Sequence, residues 1–159
     1  MLKVQNSQRV LIAPPANYTG AVCPSVELSM KLYDKVQFVI MTGAWAAGTA
    51  AVTLEQGTDI AFGTNKALGF TLMWTNNAAV ASPQLVATAV VGNTFNVTAV
   101  ANATYIIEVD ADTLDQDNGF DCVRLAIASP GANADFYCAY ADLYTARYAA
   151  AVMPSSVID

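Results

Sequence analysis

Short runs of alternating apolar and polar residues follow one another along almost the whole chain, separated by clusters of turn residues. Val26, Leu28, Met30 and Leu32 alternate with Glu27, Ser29 and Lys31. Val52 and Leu54 alternate with Thr53 and Glu55, and Phe70, Leu72 and Trp74 with Thr71 and Met73. Tyr105, Ile107 and Val109 alternate with Thr104, Ile106 and Glu108, and Val123, Leu125 and Ile127 with Cys122, Arg124 and Ala126. A two-residue period puts one set of side chains on one face of an extended strand and the other set on the opposite face. Eight to ten such strands, with turns between them and no strand–helix alternation, predict an all-β fold: an antiparallel β-sandwich, jelly-roll-like.

Several local features refine this reading. Tyr33-Asp-Lys35 is polar enough to turn. Beyond it Val36, Phe38 and Ile40 share one face while Gln37, Val39 and Met41 share the other, so both faces are largely apolar. That pattern suits a central strand or an interface strand. Gly43 to Gly48 reads as a small-residue loop holding Trp45. Gln84–Val91, the Gly92-Asn93 pair and Thr94–Ala99 read as a hairpin. Asp135–Ala151 fits either a strand face (Phe136, Cys138, Tyr140) or a helical stripe (Tyr137, Tyr144, Tyr148), and the aromatic content favours strand. Pro14 and Pro15 interrupt regular pairing, since neither has an N–H to donate. The expected organisation is an N-terminal arm over 1–20, the sandwich over 21–151 and a loose tail over 152–159.

Composition narrows the function. Of 159 residues, 55% are hydrophobic and only 13% charged, against about 25% charged in ordinary soluble domains. Sparse charge favours assembly, because buried subunit faces are depleted in charge, and a homo-oligomer, trimer or dimer, is expected. There is no histidine, which removes the commonest general base and most zinc and iron sites. The net charge is −6 and the seven basic residues are scattered, so no groove for nucleic acid is expected. No run approaches the ~18 apolar residues of a membrane span, and the start of the chain lacks the pattern of a secretory signal. Cys23, Cys122 and Cys138 lack the close spacing of a zinc or redox motif, and their odd number argues against a disulfide scaffold. Free thiols are expected. The reading is therefore of a protein that is not an enzyme and needs no cofactor and no catalytic metal.

One stretch could carry chemistry. Between Val109 and Leu125 lie Asp110, Asp112, Asp115, Asp117 and Asp121. No register supplies the ligand positions and glycine of an EF-hand. From Asp110, position five is Leu114; from Asp115, position five is Gly119. Paired catalytic carboxylates normally come from separate elements lining a cleft, whereas these five share one segment. The favoured reading is a solvated acidic loop whose short side chains stabilise turns and which faces a basic partner. A non-standard calcium site is the alternative.

The stretches GAWAAGTAAVTLEQGTD (Gly43–Asp59), YIIEVDADTLD (Tyr105–Asp115), GFDCVRLAIASPGAN (Gly119–Asn133) and ARYA (Ala146–Ala149) resemble small structural proteins of tailed bacteriophages, of the capsid decoration or cement kind. The resemblance implies a virion protein, made in the host cytoplasm, that sits on the capsid surface and contacts major capsid protein. It carries no catalytic residues. Trp45, Trp74, Tyr144, Arg147 and Tyr148 are the candidate interface residues, since aromatics supply large contact area at low entropy cost. The rival expectation is a carbohydrate- or receptor-binding sandwich of a tail or baseplate, which would show exposed rings beside Asp110–Asp121.

Overall fold

The computed structural model describes residues 7–77, 84–98, 101–147 and 156–157. The strands are β1 (Ser7–Asn17), β2 (Glu27–Ser29), β3 (Tyr33–Trp45), β4 (Thr49–Gly57), β5 (Asn65–Ala67), β6 (Leu72–Asn77), β7 (Val86–Ala89), β8 (Thr94–Thr98), β9 (Ala103–Asp110), β10 (Cys122–Ile127) and β11 (Asp135–Ala146). They form two sheets. The large sheet has the order β1-β11-β3-β9-β6-β7, and the small sheet runs β2-β10-β4-β5 with β8 also paired to β4. Every pairing is antiparallel.

The pairing has a simple logic. β1 pairs with β11, β2 with β10, β3 with β9 and β4 with β8. The two halves of the chain thus form one long antiparallel ribbon whose successive rungs lie alternately in the large and the small sheet. Rolling that ribbon brings β11 onto β3 and β10 onto β4. This is the jelly-roll arrangement. Residues between β4 and β8 are an insertion: β5 lengthens the small sheet, and β6 and β7 widen the large one.

Alternation decides what lies between the sheets. Val36, Phe38 and Ile40 of β3, Tyr105 and Ile107 of β9 and Ala141 and Leu143 of β11 meet Leu28, Val52, Leu54, Val123 and Leu125 of the small sheet, all buried. Burying a side chain of this size contributes ~1.5–3 kcal/mol. Truncating Phe38, which is fully enclosed, would cost ~3–5 kcal/mol in transfer and cavity terms.

Several local expectations change. Tyr33–Lys35 is strand, not turn: Tyr33 is fully buried, with its hydroxyl on Gln8, and the chain turns earlier, where Tyr33 N–H donates to Met30 O. β3 also runs through to Trp45, so that ring lies at the end of a strand and inside the core. The expected hairpin of Gln84–Ala99 does not form. β7 pairs with β6 in the large sheet and β8 with β4 in the small one, and Gly92-Asn93 carries the chain between sheets. A positive φ at Gly92 serves either connection, so the dipeptide alone could not distinguish them. Pro14 and Pro15 lie within β1, accommodated by register shifts between Leu11 and Ala13 and between Ala13 and Ala16. Within the segment expected as an arm, Ser7–Asn17 is a strand of the large sheet. In the expected tail, Ser156 is buried and its carbonyl accepts from Ser29 N–H at 2.6 Å. Asp135–Ala146 is strand; residues 148–151 lie outside the described residues. Among the described residues no helix is long and apolar enough to cross a membrane.

Candidate functional site

The acidic stretch leaves β9 at Asp110 and makes two 3-10 turns, Ala111–Thr113 and Gln116–Asn118, before β10 starts at Cys122. Ala111, Leu114 and Phe120 point inward and are buried. With those three side chains anchored, the aspartates fan outward. Asp110 meets Lys35 of β3 at 2.6 Å, Asp121 meets Lys31 at 3.6 Å, and Asp115 pairs with Lys66 of β5 and with the Asn118 amide. The Lys66 ammonium and the Asn118 amide hold the Asp115 carboxyl below its ordinary range. The Lys66 ammonium also lies 4.2 Å from the centre of the Phe120 ring. Asp112 and Asp117 are exposed. Among the described residues no group of three or more His, Cys, Asp or Glu side chains could hold a metal ion. The loop is an electrostatic tie to three lysines on separate elements, and its basic partners belong to the chain itself. Exposed pairs of this kind contribute ~0–1 kcal/mol each.

The two outer faces of the sandwich differ. On the small sheet Arg124 stands between Glu27 and Glu55, its register neighbours on β2 and β4. Its Nε and Nη2 donate to Glu55 Oε2 at 3.0 and 2.5 Å, and Nη1 donates to Glu27 Oε1 at 3.2 Å. The loop after β4 folds back over this bridge. Phe62 covers the guanidinium at 4.5 Å and lies on Gly57, where an added Cβ would fall 2.8 Å from the ring. Gly57 is thus needed for close approach of the ring.

The outer face of the large sheet has no such cover among the described residues. Leu11, Tyr140, Val39, Ile106, Trp74 and Ala87 stand in register on β1, β11, β3, β9, β6 and β7, an uncharged row across all six strands. Beside it run Cys138, Met41, Thr104 and Asn76. Leu11, Met41 and Phe136 are 56%, 45% and 47% exposed, and Pro15, Met41, Phe136 and Cys138 line an apolar hollow. On the other side of the row the polar groups satisfy one another. Arg9 donates twice to Asp142 at 2.7 Å and stacks over Tyr140 at 4.2 Å. Gln37 and the Tyr144 hydroxyl both donate to Glu108, at 3.0 and 3.1 Å. A partner covering this face would leave these charges and amides paired, which lowers the desolvation cost of docking.

The candidate residues separate accordingly. Trp74 lies in the apolar row, half-buried. Tyr144 is half-buried on the same face, its phenol pushed up to about 12 by burial and by Glu108. Trp45 belongs to the core, 8% exposed, tilted against Tyr137, with Nε1–H donating to Gly48 O at 3.3 Å. It is spent on the protein's own packing because β3 continues to it. Arg147 pairs with Asp34 at 2.9 Å at the end of β11, and Tyr148 lies outside the described residues. Leu11, Met41, Phe136 and Tyr140 stand on this outer face too, and none of them is among the candidates read from sequence. The signal for Met41 was present, since both faces of β3 are apolar in sequence. Leu11 could not be read, because the neighbouring prolines argued against a strand there.

The thiols are free: Cys23 and Cys122 are buried and Cys138 is half-buried on the large outer face. Cys122 and Cys138 occupy different sheets. Burial pushes the Cys23 thiol up to about 11, partly offset by the neighbouring Tyr137 hydroxyl, and the thiol donates to Pro24 O at 3.2 Å.

No family model matches the chain, and no curated protein matches it. Among solved structures, it is similar to the SPBc2 prophage-derived protein YomS, with a TM-score of 0.43 and 11% identity over 88% of this chain and 94% of that one. A chain from Bacillus endospore appendages, a family of disulfide-linked pili, gives a TM-score of 0.36 and 15% identity over 88% and 87% of the two chains. A chain of infectious bursal disease virus, Gx strain, gives 0.29 and 9% identity over 86% of this chain and 39% of that one. Likenesses this distant assign neither a family nor a role.

Proposed function

We propose that the chain is a non-enzymatic structural protein of a phage particle, which docks on assembled capsid through the outer face of its large sheet and reinforces the shell. Its partner is major capsid protein and its place the capsid surface. The observation that carries this reading is the uncharged row Leu11–Tyr140–Val39–Ile106–Trp74–Ala87, exposed except at the buried Val39 and the half-buried Tyr140, Ile106 and Trp74, on a face where Arg9, Asp142, Gln37 and Glu108 are already paired. Six strands ~4.8 Å apart and ~20 Å long offer a footprint on the order of 600 Å² per partner, which reaches the lower limit of a standard interface. The phage-like stretches within Gly43–Asp59 and Tyr105–Asn133 support the same assignment. A protein that binds the closed lattice and not free subunits shifts the equilibrium toward the closed shell, and many weak contacts over a lattice add up to high avidity.

The test is a heat or chelator challenge of particles with and without the protein, counting released genomes. Particles carrying it should release fewer, and a Leu11→Asp/Met41→Asp double variant should neither be retained nor protect. Equal release with no chain on the head surface would overturn the reading. Glycan binding by a chain located at the tail tip would replace it with the receptor-binding alternative.

A further inference from the structure

The two edges of the large sheet are built differently. β1, at one edge, carries Pro14 and Pro15, two register shifts and Arg9. These are devices that keep an edge strand from pairing with another chain. β7, at the other edge, has none of them. Val86-Ala-Thr-Ala89 pairs with β6 alone among the described strands. Leu85, Val86 and Val91 are 43%, 56% and 95% exposed.

The backbone groups of this edge that no described strand pairs can be located. Val90 N–H donates to Thr71 O. Hydrogen-bonding direction alternates along an antiparallel strand, so Val86, Thr88 and Val90 direct their N–H and C=O toward β6. Ala87 and Ala89 direct theirs outward. An exposed strand edge presenting such groups is a template for a further strand.

The charge distribution selects the occupant. The sequence has no Asp, Glu, Lys or Arg between Lys66 and Glu108, a stretch containing β6, β7 and β8. In a two-fold contact each residue lies near its own copy, so any charge near the axis meets itself. A charge-free edge removes that repulsion. Head-to-tail pairing of β7 on β1 would instead have to use an edge broken by prolines and bulges.

We propose that β7 pairs antiparallel with β7 of a second copy about a two-fold axis, joining two large sheets into one. The pairing satisfies the outward groups of Ala87 and Ala89. It also carries the row that ends Ile106–Trp74–Ala87 across the axis, so that the dimer presents one uncharged face of twice the width. This inference stands independently of the capsid assignment: the edge is read from pairing and charge alone.

The test is sedimentation equilibrium of the full chain over a concentration series, with two variants. Ala87→Pro removes an outward N–H and no bond to β6, and Ala89→Lys brings like charges to both sides of the axis. The wild type should show a monomer–dimer equilibrium. Each variant should raise the dissociation constant about tenfold or more, the factor that loss of one or two hydrogen bonds carries, with an unchanged melting temperature at concentrations where the wild type is monomeric. Leu11→Ser/Met41→Ser should dimerise as the wild type does. Should Ala87→Pro fail to fold, Ala89→Lys decides alone. A wild type still monomeric at about 1 mM, a trimer, or a dimer unaffected by the folded edge variants overturns the proposal. Failure here leaves the capsid-docking test untouched.

Discussion

The outer faces of the two sheets start from the same material, alternating strands with a few charges, and end differently. On the small sheet one arginine ties two glutamates across three strands, and the loop after β4 folds Phe62 over the bridge. On the large sheet Arg9 and Asp142, Gln37 and Glu108 are paired just as fully, yet no described loop crosses the apolar row beside them. The contrast shows that saturating the polar groups of a face does not close it. Closure needs a segment of chain with somewhere to anchor, and Gly57 gives Phe62 that place.

The largest effect that would test this contrast is expected at Arg124. Arg124→Ala leaves Glu27 and Glu55 facing an emptied position and removes the cation beneath Phe62. A loss of ~2–3 kcal/mol is expected, measured as a lower urea midpoint with an unchanged slope. A loss under ~0.5 kcal/mol would mean that the sealed face is sealed by packing alone.

A comparable effect is expected from alkali at the buried end of the sandwich. Cys23 has its folded value raised to about 11, above the ordinary value of the thiol in the unfolded chain. Its neutral form therefore favours the folded state fully below the unfolded value, near 9, and that contribution disappears as pH rises toward 11. The loss attributable to this thiol is about 2 kcal/mol. Urea titrations from pH 8 to 11 should show it, and Cys23→Ala should flatten that part of the curve; an identical curve would remove the assignment.

The thiols sharpen the contrast further. Cys138 on the open face should be alkylated in the native protein at least about tenfold faster than buried Cys122, with three thiols reacting after denaturation. Binding to particles should protect Cys138. Equal native rates for Cys122 and Cys138 would place both in equally accessible surroundings and break the distinction between the faces.

The smallest effect on stability belongs to the open row. Leu11→Ser and Met41→Ser should each change stability by no more than ~0.5 kcal/mol while weakening particle retention. A loss above ~1.5 kcal/mol would show that the row is packed within the monomer.

Strand positions were legible where alternation was strong, as in β4, β9 and β10, because one buried face imposes a two-residue period on the residues themselves. Where a strand had to be inferred against local chemistry, the reading failed. Tyr33 was placed in a turn because Asp34 and Lys35 follow it, although the burial of Tyr33 outweighs them. β1 was obscured by Pro14 and Pro15, which an edge tolerates and a central strand would not. The acidic loop was legible as a turn, but its three lysines lie 49 to 90 residues away in sequence and could not be assigned.

The sequence by itself determined the two-faced strands, the absence of histidine chemistry and the low charge, since these are properties of single residues and their spacing. Only the tertiary structure decided which apolar face is core and which is surface. Met41 and Ile106 look no different in sequence from Phe38 and Ile107, because alternation separates two faces without saying what covers either. It also decided that Gly92-Asn93 joins two sheets and that Trp45 is spent internally. Those outcomes depend on which distant strands pair, and pairing is settled by the burial of the whole core, which no local stretch encodes.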